Sequence, residues 1–295
     1  MAVLAIDIGG TKIAAALVDG GTLVHRTEVP TPQTSAEDAW RATAELITDT
    51  MAAGSADAVG ISSAGPVDLG AGTISPVNIS VWRDFPIVAR VAAQTGLPVR
   101  LGGDGLCMAL GEHRYGAGRG AQFVLGMVVS TGIGGGLVLD GVPYDGRTGN
   151  AGHVGHTVIE LDGQRCPCGG RGCVETVASG PSMTRWARAQ GWAGADAKQL
   201  AADVQRDDPI AVAAFRRGAT ALAAMIASTA AVCDLDLAVI GGGVAKAGPV
   251  LFDPLRAALA DYAGLTFLRD LRVVPAELGS DAGLIGAGVL ATRFG

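Results

Sequence analysis

The sequence from Val3 to Val29 reads VLAIDIGGTKIAAALVDGGTLVHRTEV and contains three apolar or β-branched runs. Glycine pairs interrupt the runs, so they predict three consecutive short strands joined by tight turns. The predicted strands are Val3–Ile8, Ile13–Val18 and Leu23–Val29. Asp7 stands on the otherwise apolar first strand, where burying a carboxylate is costly unless it meets a metal ion or a hydrogen-bond donor. The stretch therefore predicts a sheet with a polar site at its first turn.

Strands and helices alternate along the rest of the chain, and this alternation predicts a largely parallel sheet covered by helices. Further strands are predicted at Ala58–Ser62, Val99–Leu101, Phe123–Val129, Leu137–Leu139 and Leu237–Ile240. Helices are predicted from Ser35 to Met51, Ile87 to Thr95, Leu106 to Tyr115, Asp208 to Cys233, and from a Ser280 cap to about Thr292. A strand, a glycine-rich turn and a second strand recur after residue 123, which indicates a weak internal repeat.

Length and composition indicate a folded, soluble enzyme. The chain has 295 residues, enough for two lobes, and 49% of them are hydrophobic against 17% charged, which excludes disorder. The net charge of −6 (22 basic minus 28 acidic residues) argues against a nucleic-acid or membrane partner. The first residues do not resemble a signal peptide, and Gly218–Cys233 falls short of the roughly 20 residues that span a bilayer. We expect a buried helix there, and a cytoplasmic protein.

Three glycine-rich turns follow predicted strands and are candidate phosphate sites. They are Asp7-Ile-Gly-Gly-Thr-Lys12, Ser130-Thr-Gly-Ile-Gly-Gly-Gly136 and Gly241-Gly-Gly243. Such turns expose backbone N–H groups, which suit a phosphate, although each alone is equally typical of an ordinary turn. Phosphoryl transfer depends on this kind of positioning and charge neutralisation. The sequence contains no G-x-x-x-x-G-K-[ST] motif, which excludes a P-loop nucleotidase.

Asp104 follows the predicted strand Val99–Leu101 and precedes a helix. A carboxylate at this place can accept a proton from a substrate hydroxyl in a cleft. It can equally well serve as a helix N-cap. Position alone leaves both interpretations open.

A cluster of thiols predicts a metal site. Cys166, Cys168 and Cys173 fall within eight residues, and His156 lies ten positions upstream. Three thiolates and one imidazole form a closed tetrahedral site for structural Zn²⁺. Disulfides are the alternative, which the cytoplasmic setting and the Cys-x-Cys spacing disfavour.

Together these motifs resemble the ROK sugar kinases, a family that includes bacterial glucokinases, N-acetylhexosamine kinases and related repressors. The segments that carry the resemblance are Asp7–Lys12, Gly60–Asp68, Gly102–Asp104, Ser130–Gly136, Gly152–His156 and Cys166–Glu175. The resemblance implies an α/β, actin-like (hexokinase-type) fold with two lobes around a deep cleft. It implies transfer of the γ-phosphoryl group from ATP, with Mg²⁺, to the 6-OH of a hexose or amino hexose. It also implies a homodimer or homotetramer.

The lobes expected from the resemblance are residues 1–117 and 118–279, with the C-terminal helix 280–295 packing back on the first lobe. Asp104 matches the catalytic base. The residues matching the sugar site are Gly65, Gly103, Asp104, His153, His156 and Glu175, with Glu175 on the anomeric side of the sugar. The residues matching the first phosphate turn are Asp7, Gly9, Gly10, Thr11 and Lys12. Those matching the second are Thr131, Gly132, Gly134 and Gly135, and those matching the adenosine side are Gly242 and Gly243.

Two positions depart from the family pattern. Gly103 stands where members usually have Asn, and His153 stands where they usually have Glu. Both family residues hold ring hydroxyls, so these departures bear on which sugar is used. Two rival functions are a sugar sensor with weak or no kinase activity and a ROK repressor. The repressor requires a DNA-binding segment before the first phosphate turn, which here begins at residue 7.

Overall fold

The computed structural model describes residues 2–292 and contains two five-stranded sheets and a small hairpin. The strands of the first sheet and the hairpin are β1 (Val3–Ile8), β2 (Lys12–Asp19), β3 (Thr22–Pro30), β4 (Val59–Ser63), β5 (Val67–Asp68), β6 (Thr73–Ile74) and β7 (Val99–Gly103). The strands of the second sheet are β8 (Val124–Val129), β9 (Ile133–Leu139), β10 (Val142–Pro143), β11 (Leu237–Gly241) and β12 (Arg272–Pro275).

The two sheets share one topology. Their strand orders are β3-β2-β1-β4-β7 and β10-β9-β8-β11-β12, so corresponding strands occupy corresponding places. In each sheet the first three strands are antiparallel and the last two are added in parallel. The expectation of a largely parallel sheet was wrong for the antiparallel half, because short glycine turns can join only antiparallel neighbours. The predicted internal repeat is confirmed at the level of topology.

The helices are α1 (Ala36–Met51), α2 (Ile87–Thr95), α3 (Asp104–Tyr115), α4 (Glu175–Ala178), α5 (Gly180–Ala189), α6 (Ala197–Val204), α7 (Pro209–Cys233), α8 (Pro249–Tyr262) and α9 (Ala282–Ala291). The caps predicted at Ser35 and Asp208 are confirmed by their hydrogen bonds to backbone N–H groups. The cap predicted at Ser280 was wrong. Ser280 lies in a 3₁₀ turn, Gly279–Asp281, and its side chain caps no helix.

Helix α9 packs against α3 and the first sheet, although it follows the last strand of the second sheet. Residues 293–295 of the expected C-terminal helix 280–295 lie outside the described part. The division into lobes 1–117 and 118–279 stays a prediction. One described helix, α7, has the length and apolar composition of a membrane span, with 61% of that apolar window buried. Its buried face packs on α8 in the core beside the second sheet, as expected of a core helix.

Helix α3 connects the two halves because its backbone lies directly against the second sheet. A Cβ atom on Gly105 would lie 2.3 Å from the carbonyl oxygen of Gly135, and one on Gly136 would lie 2.3 Å from Cα of Leu106. No side chain fits between such surfaces, so glycine is required for the close approach. The approach brings the first turn of α3 next to the turn that precedes β9.

We predict that Gly136→Ala destabilises the protein by about 1–3 kcal/mol, because the new methyl group meets backbone that cannot move aside. Gly134→Ala is the matched control on the same strand, since a Cβ there meets no described atom within 4 Å. Urea unfolding followed by circular dichroism measures both. Equal stability of the two variants would contradict the packing described for α3.

Candidate active site

Asp104 is the first residue of α3, at the end of β7. Its side chain is exposed, and its Oδ1 accepts a hydrogen bond from the backbone N–H of Gly105 at 2.7 Å. Protein on the remaining sides raises the pKa of the carboxyl group by desolvation, while the Gly105 N–H and the nearby His153 lower it. The net effect is a raised pKa, which makes the carboxylate a stronger base than an ordinary aspartate.

Asp7 lies at the end of β1 and is the second acid of the site. Its Oδ1 accepts a hydrogen bond from Ser62 Oγ at 2.6 Å, and a Cβ on Gly283 in the first turn of α9 would lie 3.1 Å from the same oxygen. Desolvation raises the pKa of Asp7, and the negative charge of Asp104 raises it further. Two neighbouring acids whose pKa values are both raised indicate a site that can receive cations or hydrogen-bond donors.

The first glycine turn is a hairpin turn whose N–H groups are partly used within the protein. Gly9 N–H donates to the carbonyl oxygen of Lys12 at 3.0 Å, and Thr31 Oγ1 donates to the Gly9 carbonyl at 2.7 Å. The Lys12 ammonium forms an ion pair with Glu28 at 2.9 Å and lowers the pKa of that carboxyl group. Lys12 is thus held toward β3, and its expected contact with phosphate stays a prediction, as do those of Gly10 and Thr11.

The second glycine turn is joined to two other parts of the site. Gly180 N–H donates to the carbonyl oxygen of Ser130 at 2.9 Å. Glu175 Oε2 accepts the N–H of Ile133 at 2.7 Å, and a Cβ on Gly132 would lie 2.8 Å from the same oxygen. Glu175 therefore supports this turn, a role that the sequence did not reveal. Its expected place on the anomeric side of a sugar stays a prediction.

A cavity of about 700 Å³ opens beside Thr131 and Gly243. Gly242 has φ +94°, a conformation that favours glycine, and a Cβ there would lie 2.4 Å from the Val129 carbonyl. The cavity is also lined by residues that sequence reasoning missed, among them Pro181, Thr184, Arg185, Arg188 and Lys198. Thr184 Oγ1 is buried and has no hydrogen-bond partner among the described residues. No local motif marks these residues, because α5 and α6 bring them to the cavity only in the fold.

The proposed sugar side of the cleft contains His153, Gly65 and Gly103. A Cβ on Gly65 would lie 3.2 Å from His153 Nε2, whereas one on Gly103 would meet no described atom within 4 Å. Replacement of the usual Asn by Gly103 thus leaves open space beside Asp104. Asn150, which the sequence did not single out, contacts this group through its backbone carbonyl, 2.9 Å from His153 Nδ1.

His156, Cys166, Cys168 and Cys173 come together as predicted. Their ligand atoms all lie within 4.8 Å of one another, with 3.7 Å between His156 Nδ1 and Cys166 Sγ and 3.7 Å between the Sγ atoms of Cys168 and Cys173. A tetrahedral zinc site with Zn–S bonds of about 2.3 Å has edges of about 3.8 Å, so the donor set fits this metal in type and spacing. Desolvation raises the pKa of Cys166 and Cys173, and binding of a cation would favour their thiolates.

The order of these turns, acids and thiols along one chain agrees with a single family. The model of the ROK family matches residues 3–293. The protein belongs to the ROK family. A glucokinase of Thermotoga maritima is 35% identical over 99% of this chain and 98% of its own length, and an N-acetylmannosamine kinase of Citrobacter koseri is 38% identical over 99% of both. A solved ROK glucokinase from Streptomyces griseus, in complex with glucose and AMPPNP, superimposes with a TM-score of 0.85 at 34% identity, covering 99% of this chain and 100% of its own.

The raised pKa of Asp104 predicts a pH-dependent cost to stability. The folded state holds this proton to a higher pH than the unfolded state, in which the pKa is near 3.8. Ionisation therefore destabilises the fold as pH rises through the window above 3.8, and the cost persists at higher pH. We expect Asp104→Asn to raise the thermal midpoint by a few degrees at about pH 8 and by much less at about pH 4.

Thermal unfolding across this pH range measures the difference. The exposed Asp49→Asn on α1 makes the same change of charge at the surface and serves as the control. A shift for Asp104→Asn that is the same at every pH would contradict the raised pKa.

Proposed function

We propose that this ROK protein transfers the γ-phosphoryl group of ATP to the 6-OH of a hexose or amino hexose, with Asp104 as the general base. The observation that carries the proposal is the contact between Gly105 and Gly135. This contact supports the proposal because Asp104 is the residue before Gly105 and Gly135 belongs to the second glycine turn. A proton acceptor and a phosphate turn in one cleft are what phosphoryl transfer to an alcohol requires.

In the reaction, the acceptor hydroxyl donates its proton to the Asp104 carboxylate as its oxygen bonds to the γ-phosphorus. The bond from that phosphorus to the bridging oxygen of ADP breaks, and ADP leaves with the electron pair. The Gly105 N–H holds one carboxylate oxygen, which leaves the other for the hydroxyl. The raised pKa of Asp104 makes its carboxylate a stronger acceptor for the proton of the hydroxyl.

The donor is expected in the 700 Å³ cavity beside Thr131 and Gly243, which has room for a nucleoside. The related Streptomyces griseus glucokinase was solved with AMPPNP, which supports ATP as the donor here. Mg²⁺ would accompany the phosphates, as is general for kinases. Asp7, the acid of the first turn, would bind that ion directly or through water.

For the acceptor, we propose a hexose altered between C2 and C4, such as an amino or N-acetylated hexose, in preference to plain glucose. At position 153 a single ring nitrogen replaces the two carboxylate oxygens that would accept hydrogen bonds from ring hydroxyls. The open space beside Gly103 accommodates a substituent or a water molecule. The relatives include both a glucokinase and an N-acetylmannosamine kinase, so both acceptors belong in the test.

We also propose that His156 and the three cysteines hold one structural Zn²⁺. When bound, this ion neutralises the thiolates and cross-links the loop between residues 156 and 173. Cys173 is two residues before Glu175, and Glu175 supports the second glycine turn by accepting the N–H of Ile133. A cytoplasmic homodimer or homotetramer remains the expected state of the protein.

A coupled ADP-release assay over a panel of sugars tests the function. We expect ATP-dependent turnover, with kcat/KM for an amino or N-acetyl hexose, including N-acetylmannosamine, about ten- to a hundred-fold above that for glucose. Asp104→Ala should lower kcat about 10²–10⁴-fold while the protein stays folded. Glucose as the best acceptor would show that His153 and Gly103 are neutral replacements. Normal turnover of Asp104→Ala would show that Asp104 is not the general base. The absence of turnover with every sugar tested would favour a sugar sensor.

Elemental analysis tests the metal. We expect one zinc per chain, and removal with a chelator should lower the thermal midpoint and weaken sugar binding, because His156 is expected to border the sugar. Cys168→Ser removes one ligand at an exposed position, and Cys233→Ser, on α7 and outside the cluster, is the matched control. Zinc-free protein with unchanged stability and sugar affinity would contradict the site.

A further inference from the structure

Asn150 joins two segments that lie far apart in the sequence. Its Nδ2 donates to the carbonyl oxygen of Val67 at 2.7 Å, and its Oδ1 accepts the N–H of the same residue at 3.0 Å. Val67 begins β5 and follows Gly65 in the first half of the chain, whereas Asn150 lies between β10 and the 3₁₀ turn Val154–His156 in the second. One amide side chain thus satisfies both backbone groups of a residue 83 positions away.

The backbone carbonyl of Asn150 also orients His153, whose Nδ1 lies 2.9 Å from it. A carbonyl oxygen has no hydrogen to donate, so the hydrogen of this bond must be on Nδ1. In the neutral ring Nε2 then carries a lone pair and accepts hydrogen bonds. Nε2 is the atom nearest to the Cβ that Gly65 lacks, at 3.2 Å.

We infer that Asn150 is a positioning residue that sets acceptor selectivity: it fixes the Gly65–Val67 loop and the His153 ring against each other, so that Nε2 accepts a hydrogen bond from the substrate. The inference rests on the proposed function and adds the residue through which selectivity is set. A family carboxylate at position 153 presents two acceptor oxygens and a negative charge. An imidazole whose Nδ1–H is held by the Asn150 carbonyl presents, in its neutral form, one acceptor and no charge.

The substrate group that fits Nε2 is a donor, either a hydroxyl or the N–H of an acylamino substituent. Asn150 leaves His153 no alternative tautomer without loss of its bond to the carbonyl. A substituent that offers only acceptors at that carbon would leave Nε2 unpaired in the cleft, which costs affinity. Selectivity therefore depends on the direction of one hydrogen bond.

Asn150→Ala and Asn150→Asp test the positioning role. The alanine variant removes both bonds to Val67, and the aspartate variant keeps the shape but places an oxygen against the Val67 carbonyl. We expect KM for the preferred sugar to rise about ten-fold in both, with kcat and KM for ATP within about two-fold of the parent. Thr148→Val is the matched control, because Thr148 is exposed in the same loop and the change removes its hydroxyl, 3.2 Å from Asn150 Nδ2, while both bonds from Asn150 to Val67 remain.

The tautomer of His153 gives a readout that would not change if Asn150 had only a structural role. In the parent protein, ¹⁵N spectroscopy should show the hydrogen on Nδ1, and in Asn150→Ala a mixture of tautomers. His153→Gln places an amide oxygen near the position of Nε2 and should keep the order of sugar preference. His153→Asn places its amide near Nδ1, cannot supply that acceptor and should lose the order.

Folded Asn150→Ala with the parent's sugar KM, or a parent ring with its hydrogen on Nε2, would overturn the inference. The second result needs only the parent protein, so it decides the matter even where the variants do not fold. Calorimetric sugar binding without ATP separates the two proposals. The distinguishing result is a parent protein that shows no turnover while Asn150→Ala still weakens sugar binding about ten-fold. That result would contradict the proposed kinase function and support the role of Asn150.

Discussion

The backbone contact between the first turn of α3 and β9 determines where the chemistry of this protein can take place. With Gly105 and Gly136 at the contact, a helix that starts at the end of a first-sheet strand rests directly on the second sheet. Asp104 at the start of that helix is consequently fixed beside the second glycine turn. A larger residue at either glycine would move Asp104 away from the second glycine turn, since the backbone on both sides cannot yield.

Glu112 stabilises the other end of the same helix. It is fully buried, and its carboxylate accepts the N–H groups of Ala117, Glu277 and Leu278 at 2.8–3.1 Å. The first of these residues lies where the chain passes from α3 toward β8, and the other two lie where it returns from β12 toward α9. A buried carboxylate is tolerated only when hydrogen-bond donors surround it. Here the donors are backbone N–H groups in both segments that connect the two sheets. One side chain thus holds the two connections together.

The acceptor side of the cleft is built differently, from side chains of loops. Asn150 joins the Gly65–Val67 loop to His153, and His156 is three residues further along in the thiol cluster. Glu175, two residues after the last cysteine, supports the second glycine turn through Ile133. The proposed metal site, the proposed sugar contacts and the second glycine turn are therefore connected over a short stretch of chain.

The sequence by itself determined the strand–turn–strand segments, the caps at Ser35 and Asp208 and the thiol cluster, because each depends on residues close together in the chain. Local patterns could not reveal which strands of each sheet pair antiparallel and which pair parallel. They also could not reveal Asn150 or the cavity residues of α5 and α6. Only the tertiary structure decided these features, since they depend on contacts between segments tens of residues apart. The bond from Asn150 to Val67 spans 83 residues, and no spacing rule covers such a distance.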